Sequence, residues 1–345
     1  MDRPSTDDLT ATPANRVLPT VSVVIPAYTM DRWPLLRKAV ESLRSQTVSV
    51  DAVVLCIDNN DELLATARAQ WLGSPGTPVR VLANRFGDHL TRVAIHQRAH
   101  GTSRRFGAGS ARNVAAETVE STVIAFLDDD AWAEPDWLER LLAVYLDPSV
   151  VAVGGPPLPD YETARPAWFP ANFDWVFGCA YEGLPTEIAP LRHLIGANMS
   201  VRRDAFTAVG GFQGSDFDDL NLCTRLIARY GTKAVYYTPE AVVHHFVPAQ
   251  RLTWRYYRRR CYFVNREKVR VLRRIGSAAN LVAEREFVWR TLRRNSWSAV
   301  RRGLGGDAGG FAALGAMWLG IGLAGLGHVR GQLDQLWSAR AGGRA

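Results

Sequence analysis

The chain has few cysteines, and their positions exclude a covalent or metal-bound scaffold. Its 345 residues contain four, with neither a C-x-x-C pair nor the spacing of a zinc finger. This excludes a disulfide-stapled secreted module and a zinc-finger protein, and it predicts reduced core cysteines in a cytoplasmic protein. The four are Cys56, Cys179, Cys223 and Cys261.

The N-terminal segment lacks the apolar stretch of a signal peptide. Residues 1–19 are mostly polar, so we expect a flexible tail and no export. The composition as a whole, with 47% hydrophobic and 22% charged residues, excludes a disordered or fibrous chain. It is sufficient for one large or two modest domains with a buried core.

Positive charge is scarce in the first 250 residues and concentrated after them. Residues 1–250 contain 22 Lys and Arg against 29 Asp and Glu, whereas residues 251–302 contain 16 against 3. The net charge of the chain is +7. An acidic body with a basic extension is typical of contact with a polyanion, which can be nucleic acid, anionic lipid or a phosphorylated substrate.

Apolar runs alternate with amphipathic helical patterns through the first 150 residues. Because the runs have no polar face, they predict a parallel sheet covered by helices on both sides. The predicted fold class is α/β, a doubly wound and mainly parallel sheet that binds its ligands at the carboxyl ends of the strands. The four predicted strands are VSVVIPAY, DAVVLCIDNN, PVRVLA and TVIAFL.

Three consecutive carboxylates follow the fourth predicted strand. Asp128, Asp129 and Asp130 come directly after TVIAFL, and Asp58 follows the second strand in the same way. A single Asp at such a position is most often a helix cap, but one cap needs only one oxygen. A divalent cation, Mg²⁺ or Mn²⁺, held together with substrate phosphates accounts better for three crowded negative charges.

Seven segments, in order, resemble a family 2 glycosyltransferase with the GT-A fold. The resemblance covers roughly residues 21–247 and implies inverting transfer of a sugar from a nucleotide-diphosphate donor with a divalent metal. The segments are VSVVIPAY, VVLCIDNN, GAGSARNVAAE, IAFLDDDAWAEPDWLERL, GANMSVRRDAFTAVGGF, DDLNLCTRL and AVYYTPEAVVHH.

The resemblance also implies which residues bind the donor. Asp128 and Asp130 match the outer members of the family's D-x-D motif, with Asp130 contacting the metal. Asp58 would accept a hydrogen bond from the base, which favours a UDP or dTDP donor because uracil and thymine present an N–H between two carbonyls. The full nucleotide set is Pro26, Ala27, Tyr28, Asp58, Arg112, Asn113, Asp128 and Asp129.

The segment DFDDLNLCTRL supplies the predicted general base. Aligning its Arg-Leu with the family's places Asp218 and Asp219 on a Glu-Asp pair whose second member deprotonates the acceptor hydroxyl. A neighbouring carboxylate can raise the pKa of the base to suit that role. The alternative is that these residues, with Asp216, cap the helix that follows. Asn221 replaces an Asp that the family often has.

A histidine and several acceptor-side residues complete the predicted site. His244 or His245 would be a metal ligand, with a buried histidine bonded to a carbonyl as the alternative. The aromatic segment 165–185 would stack on sugars or a lipid carrier, or cover the core as a lid. The predicted acceptor-side or donor-side residues are Gly196, Ala197, Asn198, Trp175 and Arg260.

The C-terminal regions favour a membrane. With a catalytic domain before it, the basic extension is explained by an anionic bilayer or a pyrophosphate-linked acceptor as well as by nucleic acid. Residues 308–329 contain no Asp, Glu, Lys or Arg, and small residues recur there at every fourth position. We expect a membrane-embedded or interfacial element, with a buried soluble helix as the alternative. The small residues are Ala312, Ala316, Gly320 and Ala324.

The sequence therefore predicts a metal-dependent inverting glycosyltransferase at the cytoplasmic face of a membrane. Its partners would be a nucleotide sugar, a saccharide or lipid-linked acceptor and the anionic membrane surface, but not nucleic acid. The alternatives are a nucleotidyltransferase, which would need a phosphate-binding loop that PAYTMDRW does not offer, and a non-enzymatic scaffold. The predicted regions are 1–19 (tail), 20–250 (catalytic domain), 251–302 (basic helical extension) and 303–345 (apolar segment and tail).

Overall fold

The computed structural model describes residues 17–84, 108–213, 217–274 and 282–342. Within these ranges the chain forms one large sheet of eight strands and a small sheet of three. The strands are β1 (Val21–Ala27), β2 (Ala52–Asp58), β3 (Val79–Asn84), β4 (Val123–Leu127), β5 (Ala131–Ala133), β6 (Ala152–Gly154), β7 (Pro157–Tyr161), β8 (Ala189–Pro190), β9 (Asn198–Arg202), β10 (Val235–Tyr237) and β11 (Val243–Val247).

Helices cover the large sheet and form the C-terminal region. They are α1 (Trp33–Arg44), α2 (Asp61–Trp71), α3 (Ala108–Ala116), α4 (Trp137–Val144), α5 (Arg203–Ala208), α6 (Asp218–Tyr230), α7 (Trp254–Arg274), α8 (Val282–Leu304) and α9 (Ala308–Gly342). Short 3₁₀ helices span Met30–Arg32, Ala171–Phe177 and Ala249–Arg251.

The large sheet has the strand order β3-β2-β1-β4-β9-β6-β10-β8. The first four strands are parallel, with Val24 aligned with Val54 on one side and Phe126 on the other. This confirms the predicted α/β fold with a mainly parallel sheet. The sequence did not predict β9, which runs antiparallel to both β4 and β6. The chain order reverses between β1 and β4, and a crevice at their carboxyl ends is the expected ligand site.

Both faces of the large sheet are buried, which explains the continuous apolar strands. On one face Val23 and Ile25 pack in a core with α1, α2 and α4, and on the other Val24 packs in a core with α3, α5 and α6. Each large side chain removed from water contributes about 1.5–3 kcal/mol. Trp71 and Trp137 are the largest of the fully buried side chains.

Helix α3 begins at Ala108 and includes Gly109. A β-carbon on Gly109 would lie 2.0 Å from Asp218 Oδ2, so only glycine lets α3 approach the start of α6 this closely.

An aromatic cluster packs the C-terminal helices against residues 168–177. Phe169, Phe173 and Phe177 are buried with Tyr257 of α7 and Met317 of α9. Trp168 stacks on Trp254 with ring centroids 4.0 Å apart. Most of the aromatic residues predicted to grip an acceptor or form a lid therefore fill the seam beneath α7 and α9.

Helix α9 packs along α7 through small residues. β-Carbons on Gly327 and Gly331 would lie 2.1 Å and 2.7 Å from the carbonyl oxygens of Tyr262 and Arg266. Near the end of this seam, Arg266 and Arg270 donate to Asp334 at 2.6 Å and 2.9 Å. The two helices are thus in backbone contact over several turns.

The opposite face of α9 carries exposed apolar side chains, which we call the apolar stripe. They recur at helical spacing over about 33 Å, and 28% of the helix stretch that contains most of them is buried. This stretch, Ala308–Asp334, is long and apolar enough to cross a membrane by length and composition. The apolar stripe consists of Phe311, Trp318, Leu319, Leu326, Val329 and Leu333.

Replacing Gly327 by Ala tests the seam between α7 and α9. We expect the free energy of unfolding to fall by about 1–3 kcal/mol, because the new methyl group meets the Tyr262 carbonyl. Gly325→Ala is the matched control, since its β-carbon would meet nothing within 4 Å. That change should add up to about 1 kcal/mol through helix propensity. Urea unfolding followed by circular dichroism measures both, and equal effects would contradict this packing.

Candidate active site

The candidate site lies at the carboxyl ends of β1, β2 and β4. Tyr28 follows β1, Asp58 ends β2, and the acidic trio Asp128, Asp129 and Asp130 follows β4. Parallel neighbours end at the same edge of a sheet, so the α/β fold brings these side chains together without any local signal.

Two arginines neutralise the acidic trio from within the chain. Arg32 contacts Asp129 at 2.6 Å and Asp130 at 3.1 Å, and Arg112 contacts Asp128 at 2.5 Å. The sequence analysis attributed the missing positive charge to a cation alone, and it missed both contacts. Arg32 lies in the 3₁₀ turn after β1, and no pattern in the sequence links it to a residue 97 positions later.

Burial and these contacts set the protonation of the trio. Asp129 and Asp130 are each 3% exposed. Burial raises the pKa of Asp129 to about 7 although Arg32 opposes it. Burial also acts to raise the pKa of Asp130, but the hydrogen bond and charge of His245 and the charges of Arg32 and Arg251 bring it below its ordinary value.

His245 joins the trio and His244 does not. His245 Nε2 lies 3.3 Å from Asp130 Oδ1, and its Nδ1 lies 3.5 Å from the sulfur of Cys179. Successive residues of β11 point to opposite faces. His244 therefore stacks on Trp132 and pairs with Glu134 at 2.6 Å. This corrects the sequence analysis, which did not distinguish the two histidines.

The residues present fit a divalent cation. Ligand atoms of Asp128, Asp130 and His245 all lie within 4.8 Å of one another. Asp129 Oδ2 is buried and has no hydrogen-bond partner among the described residues. Two carboxylates and an imidazole suit Mn²⁺ or Mg²⁺ with part of the coordination left to a ligand.

The predicted nucleotide residues fall into two groups. Tyr28 is 56% exposed at the crevice, and Asp58 accepts a hydrogen bond from Asn84 at 2.9 Å. Pro26 and Ala27 are the buried end of β1, so their backbone rather than their side chains borders this edge. Asn113 has another role, because its amide exchanges hydrogen bonds of 2.7 Å and 2.9 Å with the backbone of Phe212.

Asp219 sits at the start of α6, with its carboxylate bonded by two backbone N–H groups and faced by His193. The backbone N–H groups of Gly196 and Leu220 donate to it at 3.0 Å and 2.7 Å, and His193 Nε2 lies 3.3 Å away. Burial acts to raise its pKa, but His193 and the two N–H groups lower the pKa to about 2. The sequence analysis expected a raised pKa, and it did not identify His193.

The Gly196 peptide joins this carboxylate to the acidic trio. While its N–H binds Asp219, its carbonyl accepts from Arg112 at 3.3 Å, and Arg112 in turn binds Asp128. A β-carbon on Gly196 would lie 3.3 Å from Asp219 Oδ2, a contact tighter than usual. The two acidic centres are therefore neighbours in one cleft, linked by one peptide and one guanidinium.

Of the predicted acceptor-side residues, Asn198 and Ala197 are buried, whereas Arg260 and Trp175 are half-buried. Asn198 is 0% exposed and bonds Trp137 Nε1 and the Ala241 carbonyl, each at 2.8 Å, so it cannot touch an acceptor. Ala197 is buried beside it. Arg260 donates to the Val176 carbonyl at 3.1 Å and so anchors α7. Trp175 packs on Phe173. Polar side chains in the core and the seam gave no sequence signal that separates them from ligand-binding ones.

Comparison with known proteins agrees with this arrangement. Residues 98–210 match the family described as Glycosyl transferase family 2. The chain is 32% identical over 235 residues to the glucosyl-dolichyl phosphate glucuronosyltransferase of Haloferax volcanii, covering 65% of this chain and 68% of that protein. It is 32% identical over 152 residues to the succinoglycan biosynthesis protein ExoM of Rhizobium meliloti, covering 42% and 47% of the two chains.

Solved structures share the fold at low sequence identity. The mannosyltransferase PcManGT of Pyrobaculum calidifontis, in complex with GDP-Man and Mn²⁺, has a TM-score of 0.56 and 16% identity over 91% of this chain and 88% of its own. GalNAc-T7, with UDP, GalNAc and Mn²⁺, has a TM-score of 0.50 and 18% identity over 75% of this chain. The chain spans 48% of the GalNAc-T7 chain.

Replacing His245 by Ala tests the candidate cation site. We expect the affinity for Mn²⁺ in the presence of UDP to fall at least about 10–100-fold. Loss of a group that only supports a metal ligand already has an effect of this size. His244→Ala is the control, because His244 lies on the other face of β11 and should leave that affinity unchanged. Isothermal titration calorimetry measures both. An equal loss in the two variants would contradict the placement of the cation.

Proposed function

Because the chain belongs to glycosyl transferase family 2, we propose that it transfers a sugar, with inversion, from a nucleotide-diphosphate donor to a hydroxyl of a lipid-linked or free saccharide. The observation that carries this proposal is the linkage of two acidic centres through Gly196 and Arg112. One centre, with Asp128 and Asp130, suits a donor diphosphate and the other, Asp219, suits an acceptor hydroxyl. A direct displacement needs these two and no nucleophile on the enzyme.

The donor side consists of the β1, β2 and β4 ends. Asp58, oriented by Asn84, accepts an N–H of the base, and exposed Tyr28 lies along the nucleoside. A carboxylate that accepts a hydrogen bond from the base at this position favours UDP or dTDP over other donors. Arg32 and Arg251, whose charges act on Asp130, supply positive charge next to the diphosphate.

Mn²⁺ or Mg²⁺ would be held by Asp128, Asp130 and His245. When bound, the cation supplies charge neutralisation for the departing diphosphate. The chain's own part is to keep those ligands oriented. Arg112 fixes Asp128, and Cys179 lies at hydrogen-bonding distance behind the His245 ring.

Asp219 is the proposed general base. It takes the proton of the acceptor hydroxyl as that oxygen forms a bond to the anomeric carbon and the bond to the diphosphate breaks. Its pKa, lowered to about 2, keeps the carboxylate ionised at neutral pH, although the same interactions weaken it as a base. Asp218, packed on Gly109, sets the position of the helix start that carries the base.

The acceptor is proposed to be a lipid-linked saccharide. The Haloferax volcanii relative is named for action on glucosyl-dolichyl phosphate, and ExoM for succinoglycan biosynthesis. An acceptor of this kind lies in a membrane, and we propose that the reaction takes place at its cytoplasmic face. The division into catalytic domain, basic extension and apolar segment fits such an enzyme and remains a prediction.

The C-terminal helices are proposed to lie flat on the membrane. Helix α9 contacts the strongly basic α7 backbone to backbone at Gly327 and Gly331, so it cannot cross a bilayer without either leaving α7 or drawing α7 in. Its apolar stripe faces away from α7. Exposed Trp297, Arg301 and Arg302 of α8 add an aromatic and positive charges to the same helical region, which is typical of an in-plane helix on anionic lipid.

Replacing Asp219 by Asn tests the base. We expect kcat to fall about 10²–10⁴-fold. The assay measures release of UDP or dTDP from a panel of UDP- and dTDP-sugars, in the presence of Mn²⁺ and an extract that contains acceptors. Nucleotide binding should be unchanged, because Asn keeps the size of the side chain. Asp136→Asn, at an exposed carboxylate that pairs with Arg140, is the control. A variant that keeps more than about a tenth of wild-type kcat would contradict the role of Asp219.

Adding charge to the apolar stripe tests the membrane proposal. The double variant Leu326→Glu, Val329→Glu should lose co-sedimentation with vesicles containing phosphatidylglycerol, because two carboxylates would have to enter the interface. Leu72→Glu, at a 73% exposed position after α2, is the control and should sediment like wild type.

The same vesicles distinguish a flat helix from a spanning one. Alkaline carbonate should release wild-type protein, since an interfacial helix is held by one face. Retention of the protein after carbonate would contradict the flat orientation, and equal binding of the double variant would contradict the role of the stripe.

A further inference from the structure

His193 is an imidazole that the proposed reaction leaves without a role, although it lies beside the proposed base. Its Nε2 is 3.3 Å from Asp219 Oδ1. The two side chains are 33% and 22% exposed, so both border the cleft. The Nε2 atom is itself buried and has no hydrogen-bond partner among the described residues. The Asp219 carboxylate is therefore the group with which this nitrogen can interact.

The loop that carries His193 also fixes the other side of the carboxylate. Gly196, three residues later, donates its N–H to Asp219 Oδ2, and Leu220 donates to Oδ1. The side chain of Asp219 cannot turn away from His193 without losing both bonds. A change of charge on the imidazole thus acts on a carboxylate of fixed orientation, at a distance where opposite charges shift proton affinity strongly.

We propose that His193 is the positioning residue of the base and a proton-controlled switch for the transfer. This inference rests on the proposed role of Asp219. With His193 neutral, the carboxylate is free to take the acceptor proton. With His193 protonated, the carboxylate is held in an ion pair, it is a weaker base, and the acceptor O–H bond is not broken.

Other charged and titratable groups lie around this pair. Arg112 reaches the loop at the Gly196 carbonyl but is paired with Asp128. Asp218 adjoins Asp219 in α6, and Arg192 adjoins His193 in the loop. Cys223 of α6, which accepts from the Leu194 N–H, stays a neutral thiol because burial raises its pKa to about 12. Among these groups, histidine is the residue type whose charge ordinarily changes between pH 5 and 8.

The pH dependence of kcat separates a switch from a merely structural histidine. Wild-type kcat should fall about tenfold per pH unit on the acid side of the histidine titration. In His193→Gln the side chain keeps its size and polarity but cannot become charged. Its kcat should change less than about threefold between pH 8 and pH 5.5.

His244→Gln is the matched control, because His244 is a second histidine paired with a carboxylate, at similar exposure and outside the cleft. It should keep the wild-type pH profile. An acid limb that persists in His193→Gln, or one that disappears equally in His244→Gln, would overturn the proposal. Both comparisons use the full chain and UDP- or dTDP-sugars with Mn²⁺.

A second measurement needs no turnover, so it distinguishes failure of this inference from failure of the proposed function. In NMR titrations of histidine side chains, Asp219→Asn should move the His193 transition to lower pH and leave that of His244 in place. An unmoved His193 transition would overturn the coupling even if the enzyme transfers sugar. A moved transition without any transfer activity would support the coupling and count against the proposed reaction.

Discussion

The pairing of three crowded carboxylates with arginines and a histidine is the interaction on which the rest of the site depends. Asp129 and Asp130 are nearly inaccessible to water, and a buried carboxylate without a partner costs several kcal/mol. Arg32 compensates two of them, Arg112 compensates Asp128, and His245 binds Asp130. Because these partners come from the 3₁₀ turn after β1, from α3 and from β11, the site can form only when the large and small sheets are both in place.

The same network links the two acidic centres. Arg112 binds Asp128 and the carbonyl of Gly196, whose N–H donates to Asp219. The aromatic seam supports the site from outside. It packs α7 and α9 against the segment that contains Cys179, the neighbour of His245. The segment that contains Cys179 and the C-terminal helices are in this way packed together.

The sequence predicts the features of this protein that are local. Continuous apolar runs identify buried parallel strands, and carboxylates directly after them identify the ligand edge. Asp219 was identified from the resemblance of DDLNLCTRL to a segment of the family, which is also a local feature. What the sequence could not predict depends on contacts between distant segments. Arg32 has no signal of its own, and His193 lies in a loop without periodicity.

Two further differences have the same origin. His244 and His245 are equivalent in sequence until the pairing of β11 with β5 and β7 decides which one faces Asp130. Asn198 resembles a site residue in sequence, yet its amide satisfies a buried tryptophan and a carbonyl. The raised pKa expected for Asp219 from its acidic neighbour is outweighed by a histidine and two backbone donors.

The central claim is that the acidic trio and Asp219 form one cleft, with the cation at the trio. A crystal structure of the full chain soaked with Mn²⁺ and UDP, using anomalous scattering at the manganese edge, tests it most directly. We expect an anomalous peak in contact with Asp128, Asp130 and His245, with the diphosphate between that peak and Asp219. A peak elsewhere, or UDP bound away from the ends of β1 and β4, would contradict it.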